Sequence, residues 1–168
     1  GAGLVLMHMP GTPETMQRDP SYEDVVSEVY ESLLHSIRRA QEAGVAPGRI
    51  LVDPGIGFGK TVRHNLEILN RLDDFAFLEK PILIGTSRKS FIGSILRHEG
   101  GSPGAEDRLL GTAATVVAAI LRGAHAVRVH DVAEMNEVAR VADAILSERI
   151  LAPDTMGEPQ LLPGGDPA

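Results

Sequence analysis

The sequence contains no cysteine and no tryptophan, and its aromatic side chains number four Phe and two Tyr in 168 residues. Without cysteine there are no disulfides and no thiolate metal sites, a composition that fits a reducing cytoplasm. With so few aromatics, a base-stacking platform for nucleic acid is a poor reading, and the core must be aliphatic and alanine-rich. Long apolar runs are also missing. None approaches the ~20 residues of a membrane-spanning helix, and no charged, apolar leader opens the chain, so neither membrane insertion nor classical secretion is expected. Basic residues are the minority, 16 against 23 acidic, for a net charge of −7. That balance argues against a broad nucleic-acid footprint while leaving room for a local basic pocket. What remains, 43% hydrophobic and 23% charged, is enough for one domain's core.

Strand-like and helix-like segments alternate. Leu4-Val5-Leu6-Met7 is a short apolar run followed by the proline-rich turn Pro10-Gly11-Thr12-Pro13. Ser21-Tyr22-Glu23-Asp24 has the form of a capping box, with Ser21 as the N-cap. Behind it Val25, Val26, Val29, Leu33, Ile37 and Ala40 recur at helical spacing up to Gly44. Ile50-Leu51-Val52 predicts a second strand, with a helix around Asn65 to Leu72. Pro81-Ile82-Leu83-Ile84 predicts a third, followed by a short helix from Ser90 to Leu96 and a long one from Arg108 to Leu121. Ala126-Val127-Arg128-Val129 predicts a fourth. A last helix is expected from Val132 to about Ile150, with Met135, Val138, Val141, Ala142, Ile145 and Leu146 as core positions. Residues 151–168, rich in Pro, Gly and Asp, read as a disordered tail.

Four strand–helix units imply parallel strands with helical crossovers, and continuous apolar runs imply that both sheet faces are covered. The fold class is α/β, either a doubly wound sheet or part of a (β/α)8 barrel. A whole barrel takes roughly 250 residues, so the chain is too short for one.

Each strand is followed at once by residues able to do chemistry: His8 and Met9; Asp53-Pro54-Gly55-Ile56-Gly57-Phe58-Gly59-Lys60; Gly85-Thr86-Ser87-Arg88-Lys89-Ser90; and Arg128 with His130-Asp131. In parallel α/β folds these strand ends share one side of the molecule, where ligands bind. The glycine loop fails both common phosphate patterns. A Walker loop needs glycine where Pro54 stands, and the dinucleotide fingerprint needs one at Lys60. Its glycines instead let the backbone pass close to a ligand beside Phe58. Asp53 reads either as a turn aspartate capping its own loop or as a pocket carboxylate that accepts paired N–H donors from an amidine-like ring edge. Arg88-Lys89 reads either as a solvated pair or as an anion site at a helix start. Arg128, inside an apolar strand, must pair with Asp131 or Glu134 or face an anion together with His130, which lies on the same side of the strand. His35, His64, His98 and His125 read as structural.

Leu6-Met7-His8-Met9-Pro10-Gly11-Thr12-Pro13-Glu14-Thr15-Met16-Gln17 resembles a signature of the dihydropteroate synthase family. So do Asp53 through Lys60 with His64-Asn65, the segment Gly85 through Ser90, and Arg128-Val129-His130-Asp131-Val132, in the family's order and spacing across residues 4–150. The resemblance implies a (β/α)8 barrel transferase of folate biosynthesis. Such an enzyme condenses (7,8-dihydropterin-6-yl)methyl diphosphate with 4-aminobenzoate to give dihydropteroate and diphosphate, and is a sulfonamide target. It implies that Met7, Asp53, Gly85 and Lys89 bind the pterin, that Phe58, Lys89 and Ser90 bind 4-aminobenzoate, and that Arg128, Val129 and His130 hold the diphosphate, with Lys89, Arg128 and His130 catalytic. The family's amino-terminal half is missing, including the Asn-bearing magnesium loop, the Glu-Ser-Thr-Arg-Pro-type loop, and an Asp and an Asn that bind pterin. Residues 1–150 therefore resemble the carboxy-terminal half of the barrel, with no metal ligand of their own for the Mg2+ the family uses. A cytoplasmic homodimer taking small-molecule substrates is expected, with no nucleic-acid or membrane partner. Two other readings stand beside it: a pterin-binding methyltransferase domain, and a non-catalytic half-barrel that assembles with a separate partner. The outer strands of a half-barrel are expected to carry unpaired edges.

Overall fold

The computed structural model describes residues 1–148; the tail expected at 151–168 and the last two residues of the expected final helix lie outside the described residues. The elements in order are β1 (Leu4–Met7), α1 (Val25–Glu42), β2 (Ile50–Asp53), α2 (Val62–Asn70), β3 (Leu83–Ile84), α3 (Ser90–Ile95), α4 (Leu109–Leu121), β4 (Ala126–Val127) and α5 (Val132–Glu148). Short 3-10 turns cover Pro47–Arg49, Leu72–Leu78 and Glu106–Arg108.

Both strand pairs are parallel. β1 runs beside β2 with Leu4 opposite Ile50 and Met7 opposite Asp53, and β3 runs beside β4 with Leu83 opposite Ala126. A parallel bridge from Val52 to Ile82, with Val52 N–H donating to the Pro81 carbonyl at 2.9 Å, joins the pairs into one sequential series. The four strand ends therefore face one way.

The core packs α1, α2, α3 and the Leu72–Leu78 turn around β2 and β3, with Val29, Val52, Ile56, Ile68, Leu72 and Phe75 fully buried. Each such side chain contributes roughly 1.5–3 kcal/mol of burial. A second cluster, Val116, Ile120, Met135 and Ala142, holds α4 against α5. The first strand departs from the expectation of covered faces: Leu4, Val5 and Met7 are exposed, and β2 is its only strand partner among the described residues.

Several local expectations are corrected. Ser21 is not the N-cap of α1. Asp24 is, accepting from Ser27 N–H at 2.8 Å and pairing with Arg71 at 3.0 Å, while Glu28 accepts from the Glu23 and Asp24 amides. Tyr22 turns inward to reach the Gly59 carbonyl at 2.9 Å, which leaves Ser21 outside the helix. α2 starts three residues earlier than expected, because Thr61 and His64 form the reciprocal cap. It also stops earlier, at Asn70. Leu72, Phe75 and Leu78 then bury themselves every third residue, the period of a 3-10 helix. β4 is only two residues long, so Arg128 lies beyond the strand and exposed rather than buried within it. In α5, Val141 and Ile145 are exposed rather than core.

Candidate active site

Burial, hydrogen bonding and charge converge where the strands end. Asp53 closes β2 at 3% exposure. Its Oδ1 accepts the Gly55 N–H at 2.8 Å, so the turn bond expected of a loop aspartate is made. Its other oxygen accepts no protein hydrogen bond among the described residues, yet it is not sealed from solvent. The loop reading of Asp53 therefore holds, and its second oxygen is left without a protein partner among the described residues. Burial raises the carboxyl's pKa, opposed by the Gly55 N–H and by the charges of Lys89, Arg128 and Lys60.

The loop after Asp53 is pinned from several sides. Gln17 donates to the Gly57 carbonyl at 2.9 Å, and Asn65 accepts from Gly57 N–H at 2.7 Å. Gly55 has φ +72°, and a Cβ there would lie 1.9 Å from the His8 carbonyl oxygen, so only glycine lets β1 and this loop approach so closely. His8 N–H in turn donates to the Asp53 carbonyl at 2.9 Å, continuing the β1–β2 ladder into the site.

Lys89 reaches across from the end of β3. Its Nζ donates to the Ile56 carbonyl and sits 4.2 Å from the centroid of the Phe58 ring, within the range of a cation–π contact. Burial pulls its pKa down to about 8, with Asp53 acting to raise it and Arg128 to lower it. A half-buried ammonium whose charge is coupled to a buried carboxylate fits a ligand pocket more readily than a solvated surface.

Arg88 behaves differently from its neighbour. It is neither a solvated cation nor part of an anion site. Its guanidinium makes two bonds to Asp131 and a further ion pair to Glu106. Its backbone sits at φ +60°, held by Thr112, which accepts its N–H at 3.1 Å, and by Arg108, which donates to its carbonyl at 2.8 Å. Such a conformation costs a non-glycine residue about 1–3 kcal/mol, and here it is over-determined from both sides. The strained turn sends Arg88 toward β4 and Lys89 toward β2.

Asp131 is therefore Arg88's partner and not Arg128's, and no ion pair joins Arg128 to Glu134 among the described residues. The Arg128 guanidinium instead lies over Gly85, where a Cβ would come within 2.8 Å of it. His130 folds back on Ser87: its N–H donates to Ser87 Oγ at 3.1 Å and its Nδ1 lies 2.9 Å from the same oxygen. A hydroxyl that accepts one bond can give its own proton to Nδ1, which leaves Nε2–H as a donor facing outward.

Of the residues singled out in sequence, the structure thus brings Asp53, Phe58 and Lys89 into contact range or charge coupling, with Arg128 coupled to Asp53 and Lys89. Met7 is paired with Asp53 in register, Gly85 lies under Arg128, and Ser90 follows Lys89 as an exposed residue opening α3. Val129 joins Arg128 to His130 and packs partly into the α4–α5 cluster. Two residues were missed, Ser87, which orients His130, and Lys60, buried at 4% exposure, while Arg88 was singled out but for another role than the tie between strands it forms. For Lys60 the only sequence signal was its place as the last residue of a loop whose phosphate patterns had failed.

Comparison with known proteins bears on this geometry. Residues 1–130 match the family model described as pterin binding enzyme. Dihydropteroate synthase from Escherichia coli is 45% identical over 149 residues, which are 89% of this chain and 51% of that protein. A crystal structure of Yersinia pestis dihydropteroate synthase in a sulfonamide drug complex superposes with a TM-score of 0.82 at 38% identity, over 87% of this chain and 52% of that one. The Xanthomonas albilineans enzyme in complex with 7,8-dihydropteroate gives 0.76 at 39%, over 86% and 51%. The chain spans about half the length of the curated relatives it matches. Its four parallel βα units are a fragment of a (β/α)8 barrel, and the doubly wound alternative falls.

Proposed function

Because the chain belongs to the pterin binding enzyme family, we propose that it is the carboxy-terminal barrel half, residues 1–150, of a dihydropteroate synthase. The reaction joins (7,8-dihydropterin-6-yl)methyl diphosphate to 4-aminobenzoate and releases diphosphate. The observation that carries this reading is the convergence of one carboxylate, Asp53, with Lys89 and Arg128 beside the Phe58 ring.

In this reading the free oxygen of Asp53 accepts N–H donors from the pterin's amino-pyrimidinone edge, with Met7 and Gly85 lining the slot and Lys89 contacting the ring. The 4-aminobenzoate ring packs on Phe58, and its carboxylate meets Lys89 and Ser90. Arg128 and His130, with the Val129 backbone between them, hold the diphosphate. As the methylene C–O bond breaks, its electron pair leaves with the diphosphate, where the Arg128 guanidinium and His130 Nε2–H meet the growing charge. The electron-rich pterin delocalises the positive charge left on the methylene carbon. The arylamine nitrogen then forms the new C–N bond and loses its proton to solvent. No covalent enzyme intermediate is needed, so placement and electrostatics carry the rate.

Magnesium belongs to the family reading, but the residues present do not form a site for it. Among the described residues no group of three or more His, Asp or Glu is placed to hold a metal ion, and the diphosphate end is lined by cations. No step here runs through the metal. Exposed Leu110, Val141 and Ile145 on α4 and α5 support association as a homodimer through these helices. No described helix is long and apolar enough to cross a membrane, and the absence of cysteine supports a cytoplasmic location. The exposed apolar β1 supports the further reading that turnover requires a covering set of strands. The deciding experiment is calorimetric titration of this chain, and of the longest natural protein carrying it, with a pterin diphosphate analogue in magnesium and diphosphate, followed by assay. Binding abolished by Asp53→Ala supports the assignment, and undiminished binding overturns it.

A further inference from the structure

Lys60 is a buried amine that the proposed reaction leaves unused. Its Nζ lies 2.9 Å from His8 Nδ1 and 3.0 Å from the Phe58 carbonyl oxygen. His8 is buried as well, and its own N–H is bonded to the Asp53 carbonyl. Lys60 thus links the end of β1, the end of β2 and the backbone that carries the Phe58 ring. No other side chain bonds the Phe58 carbonyl among the described residues.

The direction of the bond is fixed by the two environments. Burial, reinforced by the nearby Lys60 charge, holds the His8 imidazole down to about 4, so at neutral pH the ring is uncharged and its Nδ1 can serve as an acceptor. Burial pulls the Lys60 amine down to about 7, with Asp53 working against the fall and Lys89 adding to it. Charged or neutral, the amine carries N–H donors enough for both partners.

We propose that Lys60 is a positioning residue that, by tethering the Phe58 carbonyl to His8, fixes the Phe58 ring under Lys89 and so sets the aminobenzoate half of the pocket. The inference rests on the dihydropteroate synthase reading for its kinetic consequence and on geometry alone for its structural one. A bond satisfying a buried carbonyl for stability's sake would not discriminate between substrates. A tether on the ring that faces one substrate does: Lys60 makes no hydrogen bond to Asp53 and reaches it only through its charge, which Lys89 and Arg128 also supply, so the pterin side is expected to feel its loss less.

The test compares parent with Lys60→Met in the longest natural protein carrying this chain, and with Lys60→Gln should the first variant fail to fold. Loss of one orienting bond is expected to raise the KM for 4-aminobenzoate about tenfold while that for the pterin diphosphate moves less than about twofold. Lys60→Arg, which keeps a charged donor, is expected to restore part of the loss. In parallel, nuclear Overhauser contacts between the Phe58 ring and the Lys89 side chain are expected in the parent and lost in Lys60→Met. An equal rise in both KM values, or Overhauser contacts that persist in the variant, overturns the proposal. If the parent shows no turnover, the synthase reading is what has failed, and the Overhauser comparison alone decides the role of Lys60.

Discussion

Arg88 and Asp131 face each other across the ends of β3 and β4, Arg88 Nε donating to Asp131 Oδ2 at 3.1 Å and Nη2 to Oδ1. The pair determines how far apart the residues next to them stand, since Lys89 follows one partner and His130 precedes the other. It connects the Lys89 side of the site to the His130 side.

Replacing Arg88 by Lys is therefore expected to cost turnover although the charge is kept. One ammonium cannot reproduce a two-bond fork, and about a tenfold fall in kcat is expected, with Arg88→Ala lower still. Steady-state assays of both variants check this; a lysine variant indistinguishable from the parent would refute the positional role.

Asp53→Asn keeps an oxygen for the Gly55 turn but removes the charge that would bind the pterin edge. The amide nitrogen that takes the place of the other oxygen donates instead of accepting, so the bonds to that edge are lost, at a cost of about 3 kcal/mol or roughly a hundredfold in affinity. Calorimetry with a pterin analogue measures it, and folding judged by circular dichroism should be unchanged.

Phe58→Ala removes the ring on which Lys89 rests and on which, in the proposed reading, the aromatic acid packs. Sulfonamides competing with 4-aminobenzoate should lose affinity in step with it, by about tenfold each. Parallel inhibition and KM measurements test the coupling; a drug affinity that stays put while the KM rises would separate the two subsites.

The pH dependence of stability should carry the signature of His8. Its pKa in the folded chain, about 4, lies below the ordinary imidazole value of 6.5, so between these values the unfolded chain binds the extra proton. Stability is then full above pH 6.5 and declines as pH falls toward 4, by an amount on the order of 3 kcal/mol. Urea midpoints from pH 7 to 4 should drop less in His8→Asn, whose amide oxygen can replace Nδ1 without titrating. Identical slopes would exclude His8 as the source.

Asp24→Ala should destabilise by about 1 kcal/mol, the worth of a helix cap, and release Arg71 from α1. Chemical denaturation provides the readout, and Ser21→Ala is the control expected to do little.

The contrast between Asp24 and Ser21 shows where pattern reading gives way. Helical spacing placed the buried face of α1 correctly, because Val25, Val26, Val29, Leu33 and Ile37 need only local geometry to line up. Which hydroxyl or carboxylate caps the helix was decided by Tyr22 and Arg71, whose partners are 37 and 47 residues away. The same holds in the site. The carboxylate, the ammonium and the guanidinium–imidazole pair were legible because each comes just after an apolar run, and parallel strands gather the residues at their carboxyl ends. The fate of Arg88, the tilt of His130 onto Ser87 and the Lys60–His8 bond were not, since each depends on a contact across 43 or 52 residues. Leu72, Phe75 and Leu78 are a different case. Their three-residue period is visible in the sequence, but it matches neither the α-helical nor the strand repeat.

Gly85 adopts a backbone conformation open to any residue, and the only thing a methyl group there would strike is the movable tip of Arg128. Alanine at this position should melt like the parent while the Arg128 guanidinium is pushed aside. Screens that rank variants by thermal shift would pass such a lesion as harmless, because the displaced guanidinium leaves the packing of the barrel half untouched.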